Sequence, residues 1–334
     1  MKRTFTLLAC FAASVILLGP HTVNAARQPP AVGSTGISEL EIQVLLDRVG
    51  FSSGEIDGVR GKNARKALAA FREARGIAPG QRGNKSLLLA LGAGSLEPIV
   101  SHTITAQEAA GPFSVSIPQD MTEQSKLPGL YYASILEELA EEFHSAPALL
   151  TRLNPGARFI AGDDIRVPNV LGALGDAAIT EEPGATRIGN HQRVHHTGRV
   201  KVIVSKKNSI LTVYDSNDQI IFHAPVTSGS EHDPLPLGNW LVTAVDRNPT
   251  YNYNPDLFWD ADPANARVTI AAGPNNPVGD VWISLNKPHY GIHGTPAPAR
   301  IGYSESHGCV RLTNWDAWEL AALVDRGTTV VFEP

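Results

Sequence analysis

The sequence predicts a multidomain α+β chain of 334 residues: a small N-terminal three-helix bundle, a short α/β segment, and a mostly β C-terminal domain of sandwich-like or barrel-like type. Three observations carry this. Apolar residues recur at helical spacing between residues 37 and 92, a helical pattern at 135–153 runs into a strand-like stretch ending at Pro168, and from Val200 onward apolar and polar residues alternate as in a half-buried strand. The length allows two or three domains and a sizeable core. With 28 Lys and Arg against 33 Asp and Glu the net charge is −5, and no basic tract is present. Nucleic acid and an anionic membrane surface are therefore excluded as expected partners.

At the amino end Lys2 and Arg3 precede an apolar run over residues 5–18, then Gly19-Pro20 and small residues at 23–26. This is the order of a secretory signal peptide, residues 1–25, with cleavage after Ala25 or Ala26. The run is short for a membrane span of about 20 residues. Leu7-Leu8-Ala9-Cys10 lies before most of the apolar region, so a lipid-attachment box is discounted. The mature chain is expected to be a soluble periplasmic or cell-envelope protein with no membrane span. Of the two cysteines, Cys10 lies in the signal peptide, which leaves Cys309 as the only thiol of the exported chain. An unpaired cysteine outside the cell is a liability unless it is used.

Residues 27–36 read as a Pro/Gly/Ser linker. Ser38 with Glu41 forms a capping box, flanked by an Ile37–Ile42 staple, and starts a helix through Leu40, Val44, Leu45 and Val49 that Gly50 ends. A second helix puts Ala64, Ala67, Leu68 and Phe71 on one face, and a third short one covers residues 87–91. Residues 93–128 read as a linker with one or two short strands. Ile135, Leu136, Leu139, Ala140 and Phe143 are spaced as a helix, and Leu149, Leu150 and Leu153 continue it as far as Asn154-Pro155-Gly156. Residues 162–168 read as a turn entering an edge strand.

Residues 171–197 are a second linker, with His191, His195 and His196 read as solvated rather than metal-binding. Val200, Val202 and Val204, then 210–214 and 219–224 about the turn 215–218, mark strands and a hairpin. Further strands are expected at 240–245 and 330–332, and a helix over 315–324. Residues 246–266 form a long loop holding Tyr251, Tyr253, Phe258 and Trp259. It reads as a lid over a cleft, with an insertion packing its own small core as the alternative.

The densest chemistry lies at 289–311. His289-Tyr290-Gly291-Ile292-His293-Gly294-Thr295 is followed, after a connector, by Ser306-His307-Gly308-Cys309-Val310-Arg311. A thiolate is the nucleophilic form, and a free cysteine titrates near pH ~8.5, so a base or cation must help ionise it. His293 and His307 both qualify. Gly308 lets the backbone approach a substrate, so the amides of Gly308 and Cys309 can meet a developing oxyanion. Arg311, on the same side of an extended chain as Cys309, suits a carboxylate. Zinc is set aside: Pro288, Gly291, Gly294 and Pro296 break the helix that His289 and His293 would need, and a bound zinc would consume the thiol. No cofactor is expected.

The spacing of His293-Gly294 and Ser306-His307-Gly308-Cys309-x-Arg311 resembles the signature of the L,D-transpeptidases with a YkuD-type catalytic domain, the cysteine enzymes of peptidoglycan cross-linking. The resemblance spans residues 198–333 and includes Gly273-Pro274-Asn275-Asn276-Pro277-Val278-Gly279 and Leu312-Thr313-Asn314-Trp315-Asp316. It implies Cys309 as nucleophile, His293 as base oriented through a carbonyl near Gly294, an oxyanion hole at Gly308, and a donor pocket shaped by Ser306, His307 and Arg311. It also implies partners: peptidoglycan stem peptides and glycan, with an envelope lipoprotein as a further acceptor. Ile56-Asp57-Gly58, Gly61, Arg65, Ala67 and Phe71 resemble the three-helix peptidoglycan-binding domain over 37–92. Leu153-Asn154-Pro155 with Ile165-Arg166-Val167-Pro168 resembles the second half of a LysM module within 112–170, without its opening strand. A non-catalytic wall-binding scaffold and a carboxypeptidase or hydrolase of muropeptides are the alternatives.

Overall fold

The computed structural model describes residues 37–80, 85–170, 198–262 and 265–334. The expected signal peptide, the linker at 27–36 and the histidines at 191, 195 and 196 lie outside them. The described residues belong to one compact unit.

Helix α1 (Glu39–Arg48) starts at Ser38, whose side chain accepts the Glu41 N–H. Helices α2 (Lys62–Ala74) and α3 (Lys85–Ala90) follow. Their apolar faces converge: Ile42, Leu45, Leu46, Phe51, Ala67, Leu68, Phe71, Leu87 and Leu91 form one core, against which Ile37 packs as a staple. The turn after α1 is fixed by Gln43, whose amide donates to Asp57 at 2.9 Å while its oxygen accepts from Gly58 N–H at 2.7 Å.

The stretch expected as a linker is more structured than its sequence suggested. It holds strand β1 (Ile99–Thr103) and two single-turn helices, α4 (Ala106–Ala110) and α5 (Met121–Gln124), begun by Thr105 and Asp120 caps. One helical turn is too short for a 3.6-residue period to show. Helices α6 (Ile135–Glu142) and α7 (Pro147–Leu153) lead to β2 (Asp164–Pro168), which pairs antiparallel with β1 from Ile99↔Pro168 to Thr103↔Asp164. Strand β1 thus falls within the stretch where one or two short strands were expected, and lies upstream of residue 112.

The C-terminal region holds β3 (Lys201–Ser205), β4 (Ile210–Tyr214), β5 (Ile220–Pro225), β6 (Gly238–Arg247), β7 (Tyr251–Tyr253), β8 (Val268–Ile270), β9 (Val281–Leu285), β10 (Gly291–His293), β11 (Val310–Arg311), α8 (Asn314–Leu323) and β12 (Thr329–Glu333). Eight of these strands make one mixed sheet in the order β11-β10-β9-β6-β12-β3-β4-β5. The sheet curls until its edges meet: Thr227, just past β5, and Arg311 in β11 exchange two main-chain hydrogen bonds of 3.0 and 2.8 Å. Val202, Val204, Leu211, Val213, Phe222, Ile283, Ile292 and Val310 fill the inside with Ala317 and Leu320 of α8.

The loop after β6 packs into a small core, the alternative the sequence allowed. Strands β7 and β8 pair, and Tyr253 and Ile270 share a small core with Leu130, joined by Tyr251, Phe258 and Met121. Its tip also reaches the site described next. Among the described residues no helix is long and apolar enough to cross a membrane.

Candidate active site

Strands β10 and β11 run parallel, with Ile292 opposite Val310 and His293 opposite Arg311. Ile292 and Val310 are buried in the core, so the alternation of a strand turns His293, Cys309 and Arg311 together to the other face. This register sets residues 293 and 309 on one face. A thiol–imidazole hydrogen bond is not part of it. The Cys309 thiol donates instead to the His289 carbonyl at 3.7 Å, and the Gly291 N–H faces the sulfur from β10.

Electrostatics explain why the pair rests uncharged. Burial pushes the Cys309 thiol above its ordinary value, opposed by the Gly291 N–H and the Arg311 cation. Burial, helped by Arg311, pushes His293 down to about 3, against the pull of the Gly294 and Val278 carbonyls. The imidazole is therefore neutral at pH 7. Its Nδ1 lies 2.7 Å from the Gly294 oxygen, so Nδ1 carries the proton and Nε2 the lone pair. Trp282, opposite His293 in β9, stacks on the ring at 5.3 Å. The indole is held by its N–H donating to Ser284 at 2.9 Å.

Arg311 is the most unusual group on this face. Burial lowers its pKa, while Cys309 and Tyr251 raise it. Its Nε is buried with no hydrogen-bond partner among the described residues. A largely buried guanidinium without a carboxylate is costly unless a ligand supplies the anion. Tyr251 lies close to both Cys309 and Arg311; burial, helped by Cys309, pushes its phenol up to about 12 against the pull of the Arg311 cation.

Gly308 has φ +105, and a Cβ there would lie 2.8 Å from the Tyr290 ring. The turn is thus open to glycine alone. The N–H groups of Gly308 and Cys309 meet no acceptor among the described residues, leaving two adjacent amides beside the sulfur.

Two of the expected donor-pocket residues make contacts within the protein. Ser306 is buried, and its hydroxyl donates to the Cys309 carbonyl at 2.6 Å, closing the turn. His307 reaches the loop after β7, with Nε2 3.0 and 3.1 Å from the Asp260 oxygens and its ring edge-on to Phe258. Among the described residues no cluster of three or more His, Cys, Asp and Glu side chains suits a metal ion.

Sequence reasoning missed Trp282, Tyr290 and Asn314 as parts of this site. Asn314 opens α8, and its only local signal is the Thr313 cap before it. The Asn314 oxygen accepts from Thr295 N–H at 3.0 Å and Asp280 N–H at 3.3 Å. A Cβ at Gly279 or Gly294 would overlap that oxygen.

The curled mixed sheet thus carries a cysteine, a histidine and an arginine on one face of two adjacent strands. Residues 199–332 match the model of the L,D-transpeptidase catalytic domain, YkuD, and the chain carries a domain of that family. Among similar proteins, the one named L,D-transpeptidase YkuD of Bacillus licheniformis is 28% identical over 202 residues, covering 60% of this chain and 93% of that one. The one named L,D-transpeptidase YbiS of Escherichia coli is 31% identical over 138 residues, 39% of this chain and 44% of its own length. L,D-transpeptidase 3 of Mycobacterium tuberculosis, solved with a faropenem-derived adduct, aligns at 19% identity and a TM-score of 0.35 over 41% of this chain and 61% of its own.

Proposed function

We propose that the protein is an L,D-transpeptidase of the bacterial cell wall that works through a Cys309 thioester. The observation that carries this reading is the half-buried Arg311, whose buried Nε has no hydrogen-bond partner among the described residues, on the same face as the Cys309 thiol and the His293 imidazole. The donor is a peptidoglycan tetrapeptide stem, whose terminal D-alanine carboxylate pairs with Arg311. The Cys309 proton passes to His293, and sulfur attacks the carbonyl of the third residue, at its L-centre. The Gly308 and Cys309 amides hold the oxyanion. The C–N bond breaks, and D-alanine leaves with the proton from His293. A side-chain amine of a second stem then attacks the thioester and gives a 3→3 cross-link, with a lysine of an envelope lipoprotein or water as further acceptors.

The proton transfer requires Cys309 to turn from the His289 carbonyl toward the imidazole, a side-chain rotation that donor binding drives. In the same reading the chain is exported by residues 1–25 to the periplasm. Residues 37–92 and the paired β1–β2 segment dock it on peptidoglycan, and the loop at Tyr251 sets acceptor access.

The test is mass spectrometry of the intact protein after incubation with a carbapenem, whose strained carbonyl imitates the donor. A single adduct on Cys309, lost in Cys309→Ala, is expected. A folded protein that takes up none is a wall-binding scaffold. With purified muropeptides, new dimers identify the transpeptidase, and shortened stems alone identify a carboxypeptidase.

A further inference from the structure

The orientation of His293 depends on one peptide plane, and that plane is held from outside the catalytic sheet. The carbonyl of Gly294, which accepts from His293 Nδ1, and the N–H of Thr295, which donates to Asn314, are the two ends of a single planar unit. Fixing one end fixes the direction of the other. The Asn314 carboxamide uses its full capacity: its oxygen accepts from Thr295 and Asp280, and its NH2 donates to Pro274 O at 3.1 Å and to Glu141 Oε2 at 3.0 Å. Were the amide to flip, its NH2 would face two N–H donors.

Glu141 belongs to α6, in the segment between β1 and β2. It is buried, and it reaches Asn314 across a docked surface. Leu130 N–H donates to Ala272 O at 3.0 Å and Leu130 O accepts from Asn275 N–H at 2.9 Å. Asn275 in turn donates to Tyr131 O at 3.0 Å and to Glu137 Oε1 at 3.1 Å. The loop before β9 is therefore clamped from the same side.

We infer that Glu141 is a positioning residue for the reaction: by accepting from Asn314 it locks the carboxamide, hence the Gly294–Thr295 peptide, hence the protonated nitrogen of His293. This rests on the reading of His293 as the base. It assigns the β1–β2 segment a part in the chemistry besides any hold on the wall, since α6 supplies the fourth bond of the lock.

The experiment compares wild type with Glu141→Gln, which keeps an acceptor oxygen, and Glu141→Met, which keeps the volume and loses it. The readout is the nitrogen NMR of the His293 ring in labelled full-length protein, with turnover on a tetrapeptide stem beside it. Wild type and Glu141→Gln are expected to show one tautomer, with the proton on Nδ1, and Glu141→Met a mixture of both. Turnover is expected to fall about tenfold in Glu141→Met with KM within about twofold, and to return in Glu141→Gln. A single Nδ1–H tautomer in folded Glu141→Met overturns the inference, as does a mixture in Glu141→Gln; the latter arm decides alone if the methionine variant does not fold. If wild type forms no thioester yet its tautomer shifts in Glu141→Met, the lock stands and the proposed reaction falls.

Discussion

At the scale of single residues, the site rests as a neutral thiol beside a neutral imidazole rather than as an ion pair. Because burial raises the Cys309 pKa, the thiolate fraction at pH 7 is smaller than for a free cysteine. Alkylation of Cys309 by iodoacetamide is therefore expected to keep rising with pH beyond the ordinary thiol range, and a plateau below pH 7 would show a resting ion pair instead. Arg311→Met removes the half-buried cation beside the sulfur. Acylation by a stem peptide is expected to slow by 10- to 100-fold, roughly the 1.5–3 kcal/mol of a hydrogen bond to a charged group, while alkylation by a neutral reagent changes little by comparison. Ser306→Ala leaves the Cys309 carbonyl without its buried donor and is expected to cost about 1 to 2 kcal/mol in denaturant melts.

At the scale of elements, the turn from Ser306 to Cys309 illustrates how little room there is. Gly308→Ala must adopt a left-handed φ and displace Tyr290, so carbapenem acylation is expected to fall by at least tenfold with the remainder of the fold, followed by circular dichroism, intact. Much at this scale was legible in the sequence. The Val200–Val204 alternation and the turn at 215–218 foretold β3, β4 and β5, and the Ser38 cap foretold α1. The two strands bearing the site, β10 and β11, were not legible, because runs of three and two residues are too short for an alternation to show. What lay hidden was long-range: nothing local at Ile99 or Ile165 reveals that their strands pair, and nothing at Ser306 or His307 tells that one bonds the Cys309 carbonyl and the other Asp260. Asn314 reads as an ordinary first residue of a helix, because its four partners come from three distant segments.

For the molecule as a whole, the helical bundle covers the β5 edge. Ser52 N–H donates to the His223 carbonyl and His223 N–H to the Gly50 carbonyl, each at 2.8 Å. This contact buries His223 under Phe51 with both ring nitrogens lacking a partner among the described residues, and burial, with Lys66 nearby, lowers its pKa to about 4. The unfolded histidine titrates near 6.5. Between these values the unfolded state binds the proton and the folded state does not, so stability present above pH 6.5 is lost as pH falls toward 4. His223→Leu is expected to remove this loss, of order 3 kcal/mol, and to raise the melting temperature more at pH 5 than at pH 8; an equal change at both would show that His223 does not set the acid limb.

The junction of Thr227 with Arg311 has a consequence for ageing and misassembly. A sheet with open borders invites a strand from another molecule, and here the border is sealed by the very residue whose guanidinium faces the cysteine. One local unzipping would both bare a template for fibril-like stacking and dismantle the anion pocket. Loss of function and loss of solubility should then share a single opening event, seen as matched deuterium uptake at the amides of residues 227 and 311.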